Sequence, residues 1–468
     1  MAPTIYASLD HFFQEFDIHT HKNISFHHHL RNGDFVINDV LAYYIDHNVQ
    51  HLHLFPSSIF PSYTSIMTLL EHNQIDHITT NYINGPVGDY LSTHGLPGQL
   101  TMQTHGGRAR SIIEGKQVID VAYIACPTVD SSGNGVGYLG PSKCGSLGYA
   151  IADSIHAKKT ILITDHLIED KLEQPEIIGT DVDGVIVVDH IGNPAGIVSG
   201  TTNITTNPIG VKIARLATQT LIELGAITNG FSYQSGAGGI SLRVTKHIGD
   251  YMKEHQITAS FFSGGITTHH VRMLEEGLVE RLYDVQCFDL DAVDSIATNP
   301  NHIAISASRY ANPQDPMHIT KDLDIVILGA TEIDCDFNVN VTTDSHQTII
   351  GGSGGHSDTA SDSSITVIVS PLLRGRLPLI KDRVTTITTL GQHVDILVTE
   401  RGIAIHPQRT DLRQQLAHSS LPIFEIQELQ QRAYRLTGTP RDIKRTTTPI
   451  GVIEDRTYDI IDTLYQKK

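Results

Sequence analysis

The sequence predicts an α/β protein with largely parallel sheets, arranged as two similar domains. Three observations predict it: short β-branched runs, helical patterns between them, and a weak internal repeat. Ile161–Thr164, Val185–Val188, Ile325–Leu328, Ile365–Val369 and Ile396–Thr399 are nearly continuous apolar runs, the pattern of strands covered on both faces. Between such runs lie amphipathic stretches. In His270–Tyr283, Val271, Leu274, Leu278 and Leu282 share one helical face while Glu275, Glu276 and Glu280 fall on others. Strands interleaved with helices imply parallel sheets. The repeat matches Ile119-Asp-Val-Ala-Tyr-Ile-Ala-Cys-Pro-Thr-Val-Asp130 with Leu323-Asp-Ile-Val-Ile-Leu-Gly-Ala-Thr-Glu-Ile-Asp334. Each copy runs from an apolar strand through small residues to an Asp and then an Asn-containing turn, placing polar groups at the carboxyl edge of a sheet. Unrelated α/β strands match to a similar degree, so this pair alone leaves duplication open.

A chain of 468 residues is long enough for two cores. The helical stretch Val211–Leu224 ends in Gly225-Ala-Ile-Thr-Asn-Gly230, and Gly and Asn terminate helices. The expected domains are therefore 1–226 and 227–468. No long linker separates them, so the halves should pack directly and share a cleft.

Composition narrows the function. With 33 basic and 51 acidic residues the net charge is -18, which repels phosphate backbones and argues against nucleic acid as a general partner. The 27 histidines follow no repeated ligand spacing. Cys126, Cys144, Cys287 and Cys335 are widely separated, fitting a reducing cytoplasm better than a disulfide framework. The first residues lack a secretory pattern and no apolar run is long enough to span a bilayer, so no membrane association is expected.

Glycine-rich turns carry the strongest chemical signal. Gly351-Gly-Ser-Gly-Gly-His-Ser-Asp358 precedes the strand at Ile365, Ser235-Gly-Ala-Gly-Gly239 precedes an expected helix Ile240–His255, and Ser263-Gly-Gly265 precedes one beginning near Thr267. Such turns let amide N–H groups meet an anion, and they equally serve close packing. None carries the Lys-Ser/Thr ending of a P-loop. Thr104-His-Gly-Gly-Arg-Ala-Arg110 joins two guanidinium groups to a flexible turn, suited to a carboxylate, although one of them could be a surface charge. His27-His-His29 looks like a metal site, yet side chains on an extended backbone alternate faces, so no metal is expected there. Thr80–Ile83 reads as a strand entering the turn Asn84-Gly-Pro-Val-Gly88. Asn338 and Asn340, after Asp334 and Asp336, suit either a ligand or turn capping.

Taken together, Ile24–Asp34, Tyr82–Gly88, Thr104–Arg110, Asp189–Thr202, Gln286–Val293, Phe337–Val341, Gly354–Asp358 and Asp382–Thr386 resemble, in one order along most of the chain, the citrate lyase alpha subunit family of the CoA-transferase superfamily. The resemblance implies two similarly folded domains and exchange of acetate for citrate on an acyl carrier thioester. It also implies a larger complex, with the chain as a homo-oligomer beside a lyase (beta) subunit and a carrier (gamma) subunit. No cofactor is expected on this chain; the carrier would bring a CoA-like phosphopantetheine group. The implied binding residues are His28, Arg31, Asn84, His105, Gly106, Gly107 and Arg108 from the first half, facing Gly238, Gly239, Asn338, Gly354, Gly355 and His356 from the second.

Related CoA-transferases use a nucleophilic glutamate. Here the corresponding stretch is Val285-Gln-Cys-Phe-Asp289, with Phe288 at the glutamate's place and Asp289 the nearest carboxylate. Without the glutamate, a citrate carboxylate becomes the nucleophile, through a mixed anhydride. The alternatives are a covalent carboxylate thioester at Asp289, as in an acetate-type CoA-transferase or acyl-CoA hydrolase, and a non-catalytic effector-binding module. The absence of a helix-turn-helix pattern or basic arm argues against the last.

Overall fold

The structure is a computed structural model and describes residues 2–198, 203–440 and 446–468. Residues 199–202, which close the matching segment that begins at Asp189, lie outside the described residues. Eight strands open the first sheet: β1 (Thr4–Tyr6), β2 (Asn23–Phe26), β3 (Leu52–Pro56), β4 (Ile75–Thr80), β5 (Leu100–Met102), β6 (Val121–Ala125), β7 (Lys159–Thr164) and β8 (Gly184–Val187). The second sheet holds β9 (Ser232–Ser235), β10 (Ala259–Ile266), β11 (Val279–Cys287), β12 (His302–Ala304), β13 (Ile325–Leu328), β14 (Ile365–Val369), β15 (Ile396–Thr399) and β16 (Gly402–Ile405). All but the β15–β16 hairpin pair in parallel there. The hairpin β17 (Pro449–Glu454) and β18 (Ile460–Tyr465) returns to the first sheet, where β17 lies parallel to β5.

The two sheets share one topology. Their orders contain β8-β7-β6-β2-β3-β4-β5 and β15-β14-β13-β9-β10-β11-β12, in each of which the chain starts at a central strand, runs out to one edge and returns to build the other. The carboxyl ends of strands flanking that central strand define the crevice where open α/β sheets take ligands. The likeness extends to a small side sheet in each half. Thr128–Asp130 is antiparallel to Gly135–Val136 and parallel to Leu167–Ile168; Glu332–Asp334 is antiparallel to Val339–Asn340 and parallel to Ile380–Lys381. Two segments cross position 226. The helix Pro208–Glu223 packs on the helix Gly239–His255 and on β14 and β15, and the β17–β18 hairpin belongs to the first sheet.

The apolar runs read from the sequence are strands because both faces are covered: Ile161, Val185, Ile325, Val367 and Ile396 are at most 2% exposed. Three local expectations fail. The helix expected over His270–Tyr283 stops at Glu275, because Gly277 takes a left-handed φ of 73°. Val279 onward forms β11, in which Leu282 is buried by sheet contacts instead of helical ones. Ser263-Gly-Gly265 is the end of β10, with a register shift between Gly264 and Gly265. Strand β4 ends at Thr80, and Pro86 of Asn84–Gly88 occupies the first turn of the helix Pro86–His94, where a missing N–H costs nothing.

Candidate functional site

The carboxyl ends of the two sheets face each other across a cleft of about 600 Å3. Hydrogen bonds from main-chain N–H groups lock the walls together: His105 N donates to Gly354 O at 3.0 Å, Ile83 N to Gly351 O at 3.2 Å, and Gly106 N to the Asp358 carboxylate at 2.9 Å. Gln286 adds a side-chain link to His28 O at 2.9 Å. The Cβ-free backbone at Gly354 matters in this approach, since it has φ 52° and a Cβ there would stand 3.1 Å from His105 Nε2.

The first-half wall is made of side chains. The loop after β2 presents His28 and Arg31, the loop after β3 presents Ser58 and Phe60, and the start of the helix His105–Ile113 presents His105. The His28 ring stacks on Tyr149 with centroids 4.3 Å apart and its Nδ1 shares a 2.7 Å hydrogen bond with Ser57 Oγ. The Tyr149 hydroxyl is 3.1 Å from His105 Nε2. Burial, together with neighbouring His105 and Arg31, holds the His28 imidazole well below its usual range, and burial with Arg108 pushes His105 down to about 3. Both rings are neutral near pH 7. Arg31 supplies the charge. Its guanidinium lies 4.9 Å from the Phe288 ring centroid and 5.3 Å from that of Phe60. Burial lowers its pKa, but an arginine stays charged. Among the described residues no carboxylate forms an ion pair with it, and its buried Nε has no hydrogen-bond partner.

The second-half wall is mostly backbone. Gly236, Gly238, Gly239, Gly264, Gly265, Gly329, Gly351, Gly352, Gly354 and Gly355 all line the cleft. The helix Gly239–His255 starts there, and its N-cap Gly238 gives no side-chain cap, so its first N–H groups are available to an anion. Neither Asp nor Glu is among the residues lining the cleft. In a chain of net charge -18, a cleft lined this way suits an anion.

Of the residues expected from the sequence, His28, Arg31, His105, Gly238, Gly239, Gly354, Gly355 and His356 line the cleft, and Asn84, Gly106, Gly107, Arg108 and Asn338 do not. Asn84 is exposed beside the Tyr82 hydroxyl. Gly106 and Gly107 serve packing, since a Cβ on Gly106 would stand 2.1 Å from Ala311 O and Gly107 N donates to the N-cap Thr104. Arg108 is 3% exposed and grips Asp153 with two bonds of 2.7 and 2.8 Å, plus Phe55 O at 2.9 Å. That fork holds the Asp153 carboxyl below the usual range in spite of burial. Asn338 belongs to a turn. Its Nδ2 donates to Asp334 Oδ2 at 3.2 Å and its Oδ1 accepts from Gly391 N at 2.9 Å.

His356 contacts the cleft but both ring nitrogens are engaged, Nε2 with Gly329 O at 2.9 Å and Nδ1 with Thr389 Oγ1 at 2.8 Å. Phe288 lines the cleft, and Asp289 does not. Asp289 instead caps the helix Leu290–Thr298, accepting from Ala292 N at 3.0 Å and Thr268 N at 2.7 Å. The paired rings of His27 and His29 lie 6.3 Å apart while His28 stacks elsewhere. The sequence missed a buried trio: Cys287 Sγ donates to Asp284 Oδ2 at 2.9 Å, and His302 Nε2 lies 3.0 Å from the same oxygen. These spacings are those of a hydrogen-bonded chain. It also missed Arg374, Gly329 and Tyr149 in the cleft lining.

Two doubly wound sheets facing each other over a glycine-walled cleft with neither Asp nor Glu in its lining are the architecture of the CoA-transferase fold class. The family model for the citrate lyase alpha subunit matches residues 3–467. The citrate lyase alpha chain of Haemophilus influenzae is 41% identical over 445 residues, 95% of this chain and 89% of the relative. That of Escherichia coli is 39% identical over 462 residues, 99% and 91%. A Streptococcus mutans crystal structure, described as a citrate lyase alpha subunit in complex with citrate, superposes with a TM-score of 0.96 at 37% identity, covering 100% of this chain and 92% of that one. The alpha subunit of a malonate decarboxylase from Acinetobacter baumannii, 16% identical over 90% of this chain and 86% of its own, shares the fold at a TM-score of 0.66. The chain belongs to the citrate lyase alpha subunit family.

Among the described residues no helix is long and apolar enough to cross a membrane.

Proposed function

We propose that this chain moves the thioester of an acetylated carrier protein from acetate to citrate, with a citrate carboxylate as nucleophile. The observation that carries this reading is the cleft lining: Arg31 with no ion pair among the described residues, a free helix start, and neither Asp nor Glu. The nucleophilic carboxylate then comes with the substrate. One citrate carboxylate sits against Arg31 in a charge-assisted bond that need not displace a protein partner. Another attacks the acetyl carbonyl, the C–S bond breaks, and a carrier thiolate and a citric–acetic anhydride result. The thiolate attacks the citryl carbonyl of the anhydride, the C–O bond breaks, and acetate leaves with the bridging oxygen.

Each addition develops an oxyanion. N–H groups at the start of Gly239–His255 are placed to stabilise it, a contribution on the order of 3 kcal/mol per donor. No proton has to move, in keeping with neutral His28 and His105 that align and exclude water. The partners follow from this chemistry. They are a phosphopantetheine-bearing carrier (gamma) subunit, a lyase (beta) subunit that takes citryl thioester, and further copies of this chain. Four free cysteines support a reducing, cytoplasmic setting. We read the shared strand order as a duplication, with domains near 1–226 and 227–468 that exchange the helix Pro208–Glu223 and the C-terminal hairpin.

The experiment is borohydride trapping of the chain incubated with acetylated carrier and without citrate. The chain should stay intact by mass spectrometry and then form citryl carrier when citrate is added. A carboxylate reduced to the alcohol at Asp289 or elsewhere would replace the anhydride route by a covalent one, and failure to form citryl carrier would remove the transferase reading.

A further inference from the structure

Resting on the transferase reading, the geometry points to a strip from Gly236 across Leu328, Gly329 and Ala330 to Arg374 as the seat of the carrier's linear arm, with Arg374 holding the arm's phosphate. Three observations lead there. First, glycine at 329 answers to no need of the protein itself. A Cβ at Gly329 would meet nothing within 4 Å, and its φ is not in the left-handed region. At Gly236 the nearest atom to such a Cβ, Ile327 O, is 3.5 Å away, an ordinary contact. Gly238, at the helix start, is open in the same way, whereas Gly265, where the Phe288 ring would be 2.1 Å away, and Gly355, where the Tyr310 hydroxyl would be 2.5 Å away, are crowded. Those two serve packing. Gly329 instead keeps open a part of the cleft that only a ligand would fill, the close backbone approach that glycine permits.

Second, the strip is continuous. Gly236 N donates to Ile327 O at 2.8 Å, and Gly329 O is pinned by His356 Nε2 at 2.9 Å, which fixes the peptide that walls the slot. The neighbouring Ala330 O is in long contact, at 3.5 Å, with the Arg374 guanidinium. A narrow slot between backbone edges suits an unbranched amide-and-methylene chain, which needs no side-chain pockets.

Third, charge is placed at both ends of such a ligand. Arg31 is partly buried between Phe60 and Phe288 in the first half, and Arg374 is exposed on the Leu373–Pro378 hairpin of the second. Arg374 lines the cleft and has no ion pair among the described residues. One cation faces the reacting carboxylate; the other stands where a phosphate entering from solvent would meet it.

The test uses the full chain and calorimetric binding of pantetheine, phosphopantetheine, inorganic phosphate and citrate, separately. Wild type should bind phosphopantetheine up to roughly fivefold more tightly than pantetheine, the step a single screened charge pair at an exposed arginine supplies, and bind inorganic phosphate alone far more weakly. Arg374→Ala should abolish the phosphopantetheine advantage and leave citrate binding unchanged. Gly329→Val should weaken pantetheine and phosphopantetheine alike while sparing citrate, with thermal unfolding as the check that it folds; Gly329→Ala supplies a milder step. An undiminished preference for phosphopantetheine in Arg374→Ala, or unaltered pantetheine binding in a folded Gly329→Val, would overturn the assignment. Failure of the wild type to form citryl carrier from acetylated carrier and citrate, assayed in parallel, would overturn the transferase reading instead, so the two failures are distinguishable.

Discussion

The two walls of the cleft rise from sheets of the same strand order, yet they are made of different material. The first presents side chains, His28, Arg31, Phe60, His105 and Tyr149, stacked and hydrogen-bonded, with the Arg31 guanidinium held against aromatic rings and in no ion pair among the described residues. The second presents glycine backbone and the start of a long helix. Side chains confer charge and selectivity; backbone confers close approach and rigid N–H donors. On the proposed reading, two sheets of the same strand order split the work of recognising an anion from that of stabilising the charge that develops on it.

Arg31→Ala should break the first wall most sharply. With no carboxylate left behind, stability should change little, while kcat/KM for citrate falls on the order of 1,000-fold, read by steady-state kinetics beside a thermal melt. Arg108 is the contrast. Arg108→Ala leaves the buried Asp153 only His27, 3.3 Å away, and should cost about 3 kcal/mol in denaturant unfolding, with the citrate KM of the folded enzyme unchanged. A sharply raised citrate KM in Arg108→Ala would return that residue to the site.

The second wall is sharpened by Gly238→Ser. A serine N-cap satisfies the helix's own N–H groups and stabilises it by a few tenths of a kcal/mol. It should compete with the ligand, raising the citrate KM about tenfold. An unaltered KM would remove the helix start from catalysis.

Acid should loosen the walls more gently. Buried His28, His29, His105, His270 and His356 have pKa values pushed below the unfolded value, so the stability they contribute is complete above about pH 6.5 and is lost as pH falls. Asp34 and Glu176, pushed up to about 7 by burial, and Asp358, to about 6, act in the opposite sense. Five fully buried imidazoles outweigh three fully buried carboxyls, and the partly buried His53, His247, His269, His393 and His406, set against Asp39, Asp334 and Asp395, tip the balance the same way. Unfolding free energy should therefore decline from pH 6.5 towards pH 4.5, at about 1.4 kcal/mol per pH unit for each uncompensated proton. A flat urea midpoint over that window would contradict the neutral assignments.

What the sequence disclosed follows the same division. Strand runs were legible because burial on both faces leaves a continuous apolar signature, as in Ile325–Leu328. The helix at His270 was overrun because Leu278 and Leu282 keep helical spacing after Gly277 has ended the helix. Arg108 and Arg110 could not be told apart in one motif, since the carboxylate that claims Arg108 lies 45 residues away at Asp153. The internal repeat held an unused answer for Asn338. Its counterpart Asn134 makes the same bonds, Nδ2 to Asp130 Oδ2 at 2.8 Å and Oδ1 from Gly179 N at 2.9 Å, so the pair is a turn device in both halves. Gly329 also left a trace, a glycine just past the carboxyl end of an apolar strand, where ligand loops begin.

The central claim, that the cleft receives its nucleophilic carboxylate from citrate, is tested most directly by a single turnover of acetylated carrier with citrate labelled by oxygen-18 in its carboxylates. The direct anhydride route predicts one labelled oxygen in the acetate released in that first turnover, because the bridging oxygen leaves with it. Unlabelled acetate in the first turnover, with label appearing only in later ones, would place a carboxylate of the chain between the two substrates and contradict the account.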